Sequence, residues 1–167
     1  MSALAISMTV YGHPAPQGSK RSFGPGRMVE SSKYVKPWRE AVKAAALDVI
    51  HHDPAWARLD EAVSLDVTFY FDRPKGHFGT GRNAGQLKRS APVWPTSPPD
   101  LSKLIRSTED ALTDAGVWRD DSYAAAIRAS KRYVDDGPGT LSTPGAVIRV
   151  WRLHDQLKET SSDQPAI

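Results

Sequence analysis

Cysteine is absent from all 167 residues of the chain. That excludes a disulfide framework and any thiolate metal site, and it suits a reducing cytoplasm. Long apolar runs are missing too. None approaches the length of a membrane span, and the N-terminal residues carry no signal-peptide core. There is no internal repeat, no nucleotide-binding glycine fingerprint and no zinc-ligand spacing. Acids are missing from one long stretch, with none between Asp72 and Asp100. The length suits one domain with a real core. The net charge of +3 is mildly basic, so the distribution of charge carries more information than its total.

Apolar and β-branched residues at 4–11 predict a first strand, ended by Gly12 and Pro14. Residues 12–36 read as a loop rich in Gly, Pro and Ser. It carries Lys20, Arg21, Arg27, Lys33 and Lys36 against one acid, Glu30. Such a segment is either a solvated loop or an arm that follows a phosphate backbone. Residues 37–50 predict a helix with Pro37 at its first position and Trp38 as a core anchor. His51, His52 and Asp53 read as a charged helix end rather than a metal site, because adjacent side chains diverge. Residues 63–71 alternate as a second strand, with Val63, Leu65, Val67 and Phe69 on one face.

The acid-free stretch up to Pro99 reads as a long structureless loop. It contains Arg73, Lys75, Arg82, Lys88 and Arg89, four glycines, and Phe78 and Trp94. Its composition suits an arm that orders on nucleic acid and offers an aromatic ring to stack or wedge. A solvated insertion is the alternative. Further on, residues 123–134 and 145–153 predict two more strands, followed by a polar tail from His154. The order β-α-β-α-β-β predicts an α+β fold, a mixed sheet packed against helices.

Between the acid-free stretch and the third of these strands lies the most informative segment. Two prolines, Pro98 and Pro99, precede Asp100, which stands at a natural N-cap with its side chain accepting from free backbone N–H groups. Leu101, Leu104, Ile105, Thr108, Ala111, Leu112 and Ala115 recur at helical spacing. Gly116 occupies the C′ position, and Asp120 and Asp121 follow. Taken singly, Asp100 is a cap, Arg106 a surface cation, Asp110 and Asp114 exposed helix acids, and Asp120-Asp121 a solvated turn.

Taken together, Asp100-Leu101-x-x-Leu104 and Asp110-Ala111-Leu112-Thr113-x-Ala115-Gly116-x-Trp118-x-Asp120-Asp121 resemble the signature of RusA-type Holliday-junction resolvases. The segment Gly12 to Arg21 is similar to that family's first strand-to-loop passage. These are small dimeric Mg²⁺-dependent endonucleases of bacteria, phages and prophages. The resemblance covers residues 6–153 and implies an endonuclease domain over 1–153, with basic loops at 12–36 and 72–99 and a tail at 154–167. It implies paired nicking of four-way DNA junctions by a cytoplasmic homodimer, with no membrane partner and no small-molecule substrate. The family pattern is Asp-x-Asp, then Lys, then Asp-Asp.

Asp100 matches the first carboxylate, Asp121 the later catalytic one, and Asp120 stands beside it. Asp100, Asp121 and Asp120 are thus the candidate ligands of Mg²⁺, with Mn²⁺ as an alternative. Arg106 stands at the Lys position, where it clamps phosphate but transfers no proton. Lys20, Arg21, Arg73, Lys75, Arg82, Lys88 and Arg89 are the candidate DNA contacts. Ser102 replaces the second Asp of Asp-x-Asp. That departure leaves a second reading open: a junction-binding protein of the same fold that cuts weakly or not at all.

Overall fold

The computed structural model describes residues 2–18, 20–22, 28–30 and 33–154. Strand β1 covers Ser2–Tyr11, and a short antiparallel ribbon follows, β2 (Lys20–Ser22) and β3 (Met28–Glu30). Helix α1 runs Val35–His52, β4 Val63–Phe71, α2 Leu101–Asp114, β5 Ala124–Tyr133 and β6 Gly145–Leu153. Arg27 and residues 155–167, the bulk of the expected tail, lie outside the described residues.

The main sheet has the order β1-β6-β4-β5. β6 is antiparallel to both neighbours, whereas β4 and β5 are parallel, as α2 in the connection between them permits. The expected α+β architecture with a mixed sheet is therefore present. The 12–36 segment, expected to be all loop, contributes the extra β2–β3 ribbon.

Alternation builds one buried face. Val63, Leu65, Val67 and Phe69 of β4 are buried, and so are Ala146, Ile148 and Val150 of β6 and Ile6, Met8 and Val10 of β1. They form one cluster with Trp38, Val42 and Ala46 of α1 and Leu104, Ala111 and Leu112 of α2. Trp38, only 1% exposed, is the core anchor the sequence suggests. Gly145 is fixed by closeness, because a Cβ there would collide with the Val10 carbonyl. Helix α1 begins at Val35, two residues before Pro37. The proline still falls in the first turn, where its missing N–H leaves no bond unmade.

The 72–99 segment differs from the structureless loop expected. It holds two short 3₁₀ turns, at Lys75–His77 and Gly81–Asn83, and two isolated bridges, Phe78 to Leu87 and Gly79 to Ala84. Backbone bonds from Lys88 to His77 (2.9 Å) and Gly79 to Gln86 (2.9 Å) close it into a narrow lobe. Its glycines and prolines shape this lobe rather than leaving the chain unstructured.

Candidate functional site

Helix α2 buries one face and exposes another. Leu104, Ser107, Thr108, Ala111 and Leu112 point inward, while Ser102 and Arg106 are exposed. Two of the buried residues are polar, and both are satisfied. Ser107 Oγ donates to the Ala15 carbonyl at 2.6 Å, and Thr108 Oγ1 accepts from Trp38 Nε1 at 3.3 Å. The Gln17 N–H donates to the Lys103 carbonyl at 3.0 Å. The segment leading into the first basic arm is thus stapled along α2. Spacing alone did not single out Ser107, since a serine on a helix carries no apolar signal.

Asp100 occupies the N-cap position, but its side chain makes no capping hydrogen bond, which corrects the expectation from sequence. Its Oδ2 lies 3.3 Å from Lys103 Nζ instead. Lys131 of β5 reaches the same corner. Its ammonium donates to the carbonyls of Ser97 (2.9 Å) and Pro99 (3.1 Å), just ahead of Asp100. Neither lysine was a candidate from sequence. The three-residue spacing of Asp100 and Lys103 on a helix is a legible signal. Lys131 is brought in only by the pairing of β5 with β4.

After α2 the chain turns sharply. Gly116 takes a left-handed φ of 75°, as its C′ position demands. Val117 N–H returns to the Leu112 carbonyl (3.1 Å) and Gly116 N–H to that of Thr113 (3.0 Å), the double closure of a Schellman turn. Trp118 is buried, donates from Nε1 to Thr113 Oγ1 at 2.7 Å and bridges to Leu59. This anchor fixes the start of the Asp120-Asp121 turn. Asp120 Oδ1 accepts from the Ser122 N–H at 2.9 Å and caps the 3₁₀ turn Asp121–Tyr123. Hydrogen bonds from Ser122 hold the Asp120 carboxyl below its ordinary range. Asp121 opens that turn, exposed.

Glu109 is half-buried on α2. Burial first, then the nearby charges of Asp121 and Asp110, push its carboxyl above the usual glutamate range. The other α2 acids are matched by cations. Arg39 of α1 bonds Asp114 at 2.8 Å and lies 3.9 Å from Asp110, so these two acids tie the helices together. Asp100 thus stands at the start of α2 and Asp121 on the turn after its end. Among the described residues, no three His, Asp or Glu side chains converge to hold a metal.

The basic arms divide in two. Lys75, Arg82, Lys88 and Arg89 are exposed on the 72–99 lobe. Arg73 differs from them. Its side chain is only 8% exposed, bonds the Pro92 carbonyl at 2.8 Å, pairs with Asp136 at 3.5 Å and lies 4.2 Å from the Tyr133 ring centre. A guanidinium held this way anchors the lobe and is turned away from a phosphate. Trp94 remains 55% exposed, with the Arg132 guanidinium over its ring, while Phe78 is partly buried. Lys20 and Arg21 lie on β2, paired through the backbone with Glu30 and Val29.

No curated protein matches the chain. A comparison with family-level sequence patterns matches residues 12–141 to endodeoxyribonuclease RusA. That span takes in the segment stapled along α2, α1, the folded lobe, α2 and the turn behind it. The chain belongs to the RusA endodeoxyribonuclease family.

Proposed function

We propose that this protein is a Mg²⁺-dependent endonuclease that resolves four-way DNA junctions by paired nicks, acting as a cytoplasmic homodimer. Its family comprises Holliday-junction resolvases, divalent-metal-dependent nucleases that act on branched DNA. The observation that carries the reading is Asp100. An aspartate at an N-cap that leaves its own helix uncapped keeps its carboxylate for another use.

The donor set of Asp100, Asp121 and Asp120 consists of oxygens alone, which fits a hard cation such as Mg²⁺, with Mn²⁺ as an alternative. These residues form no closed cage, and an ion that keeps waters and takes phosphate oxygens needs none. Asp100 and Asp121 would hold the metal. Asp120, committed through one oxygen to Ser122, keeps the other for a weaker share. When bound, the metal would polarise a phosphoryl oxygen and favour ionisation of a water.

The protein's own groups do the rest. Arg106, exposed on α2, pairs with a phosphate and offsets charge that builds on it. Lys103, 3.3 Å from Asp100 Oδ2, orients its carboxylate. Lys131 fixes the backbone that presents it. Lys75, Arg82, Lys88 and Arg89, with Lys20 and Arg21, bind the DNA backbone. Two copies related by a twofold axis would offer two matching sites to the two strands that must be cut.

The second reading, junction binding with weak or no cleavage, is favoured by exposed Ser102, where the family places a carboxylate. Cleavage of a labelled mobile four-way junction with Mg²⁺ separates the two. The wild type is expected to nick symmetrically and Asp121→Asn to bind without cutting. A wild type that binds but cuts only after Ser102→Asp establishes the second reading. Failure to prefer the junction over linear duplex overturns both.

A further inference from the structure

Of the five tryptophans, Trp38 and Trp118 are buried, Trp56 and Trp151 are partly buried, and Trp94 alone is exposed. Trp38 and Trp118 also donate from Nε1 to threonines inside the fold. Trp94 stands 55% exposed beside Val93, which is 63% exposed. An indole left in water forgoes the burial that holds the two core tryptophans in place.

Its mount is nevertheless fixed. Pro92, Pro95, Pro98 and Pro99 restrict the backbone around it. Arg73 holds the Pro92 carbonyl at 2.8 Å, and Lys131 holds those of Ser97 (2.9 Å) and Pro99 (3.1 Å). The Arg132 guanidinium lies over the indole, 5.4 Å from the ring centre, and is itself held by Asp136 at 3.3 Å. Asp136 also pairs with Arg73. One carboxylate therefore positions both the cation against the ring and the cation that ties the segment down.

Charge decides what can cover such a ring. Beyond Asp72 and up to Asp100 the segment carries cations and no acid. A second copy meeting this patch across a twofold axis would set cation against cation. A polyanion that carries flat aromatic rings matches both features, its phosphates meeting the cations and a base meeting the indole. Bases inside a duplex are already stacked on both faces. One can lie on an indole only where that stacking is interrupted, as at a branch point. Trp94 is six residues ahead of Asp100, so the two lie within about 20 Å, or about six base steps.

We propose that Trp94 is a base-stacking platform that reads the branch point, with a nucleobase at the break in stacking laid on the indole and Arg132 steadying the ring. This rests on the branched-DNA reading above and deepens it, since phosphate contacts are available on any duplex. Lys88 and Arg89 then supply affinity, and Trp94 supplies the preference for branches.

The test compares a four-way junction with a linear duplex of equal length, in chelator so that neither is cut. Trp94→Ala should weaken junction binding about tenfold or more. Duplex binding and the slope of log affinity against log salt should hold, because no phosphate contact is lost. Trp94→Phe should restore most of the affinity. Both variants should melt like wild type, since the residue is exposed. The emission of wild type less that of Trp94→Phe reports Trp94 alone, and the junction should quench it more than the duplex does. This readout needs only Trp94→Phe, so it decides the matter even where Trp94→Ala fails to fold. Wild-type affinity of Trp94→Ala for the junction overturns the inference and leaves the branched-DNA reading standing. An equal loss on junction and duplex overturns it too, as does Trp94 emission that ignores the junction. A Trp94→Ala chain that falls from dimer to monomer places the indole against a second copy, which also overturns it. A wild type with no preference for the junction overturns both this inference and the branched-DNA reading.

Discussion

Glu109 and Asp120 lie on either side of the α2 terminus, yet their carboxyls are driven in opposite directions. Burial and like charges raise the first, and hydrogen bonds from Ser122 lower the second. The consequence for stability follows from linkage. A carboxyl raised above its unfolded value penalises the folded state wherever it is ionised. For Glu109 that penalty is complete above its folded pKa and gone below the ordinary 4.5. Metal-free Glu109→Gln should therefore melt higher than wild type at neutral pH, and the gap should close as pH falls through the raised value toward 4.5. Melting curves in chelator across that window decide it, and a gap independent of pH would remove the electrostatic cause. Asp120 works the other way. Its contribution is present above the ordinary 3.8 and fades as pH falls through its lowered value.

At the scale of elements, α2 was legible because its signals agree. The prolines before it, the apolar spacing and Gly116 behind it all mark the same helix, and Leu101–Asp114 is what forms. The strands at 63–71 and 145–153 emerged with their expected bounds, because alternation and flanking turns coincide there. The 72–99 lobe was illegible for a physical reason. Its order comes from short turns and isolated bridges at irregular spacing within the lobe, and from Arg73, which ties it to Tyr133 and Asp136, and none of these has a local period. Arg73 is the clearest case. Read as one cation among five on an arm, it is the one the fold turns inward, held by Tyr133, Asp136 and the Pro92 carbonyl. Arg73→Ala should release the lobe and cost about 1–3 kcal/mol, the combined scale of a cation–π contact and a charged hydrogen bond. Trypsin should then cut after Lys88 and Arg89 faster than in wild type, with α2 and the sheet intact. Unchanged cleavage rates would mean the clamp holds nothing.

On the scale of the whole molecule, charge is sorted by place. Acids gather on α2 and the turn behind it, while the lobe before α2 carries exposed cations and, beyond Asp72, no acid. This sorting makes DNA affinity a function of salt, because each phosphate neutralised releases counterions. Replacing Lys88 and Arg89 together by Ala should weaken junction binding at low salt and flatten the plot of log affinity against log salt by about one to two units. Both side chains are exposed, so the melting temperature should hold. An unchanged slope would place the DNA elsewhere. Among the described residues, no helix is long and apolar enough to cross a membrane.

The parallel pairing of β4 with β5 has a further consequence, one of time. Two parallel neighbours cannot be joined by a tight hairpin, so the lobe and α2 must be traversed before Phe71 and Tyr133 come to lie side by side. Pairing across so much chain is slow, because the entropy of closing the loop is lost before the contacts that offset it are made. The 3₁₀ turn that Asp121 opens leads straight into β5, and Lys131 lies within that strand. The corner at Asp100 and the turn at Asp121 therefore depend on the pairing of β5 with β4. A chain still lacking that edge would also lack the proposed cutting site, so competence is expected to arrive together with the completed fold.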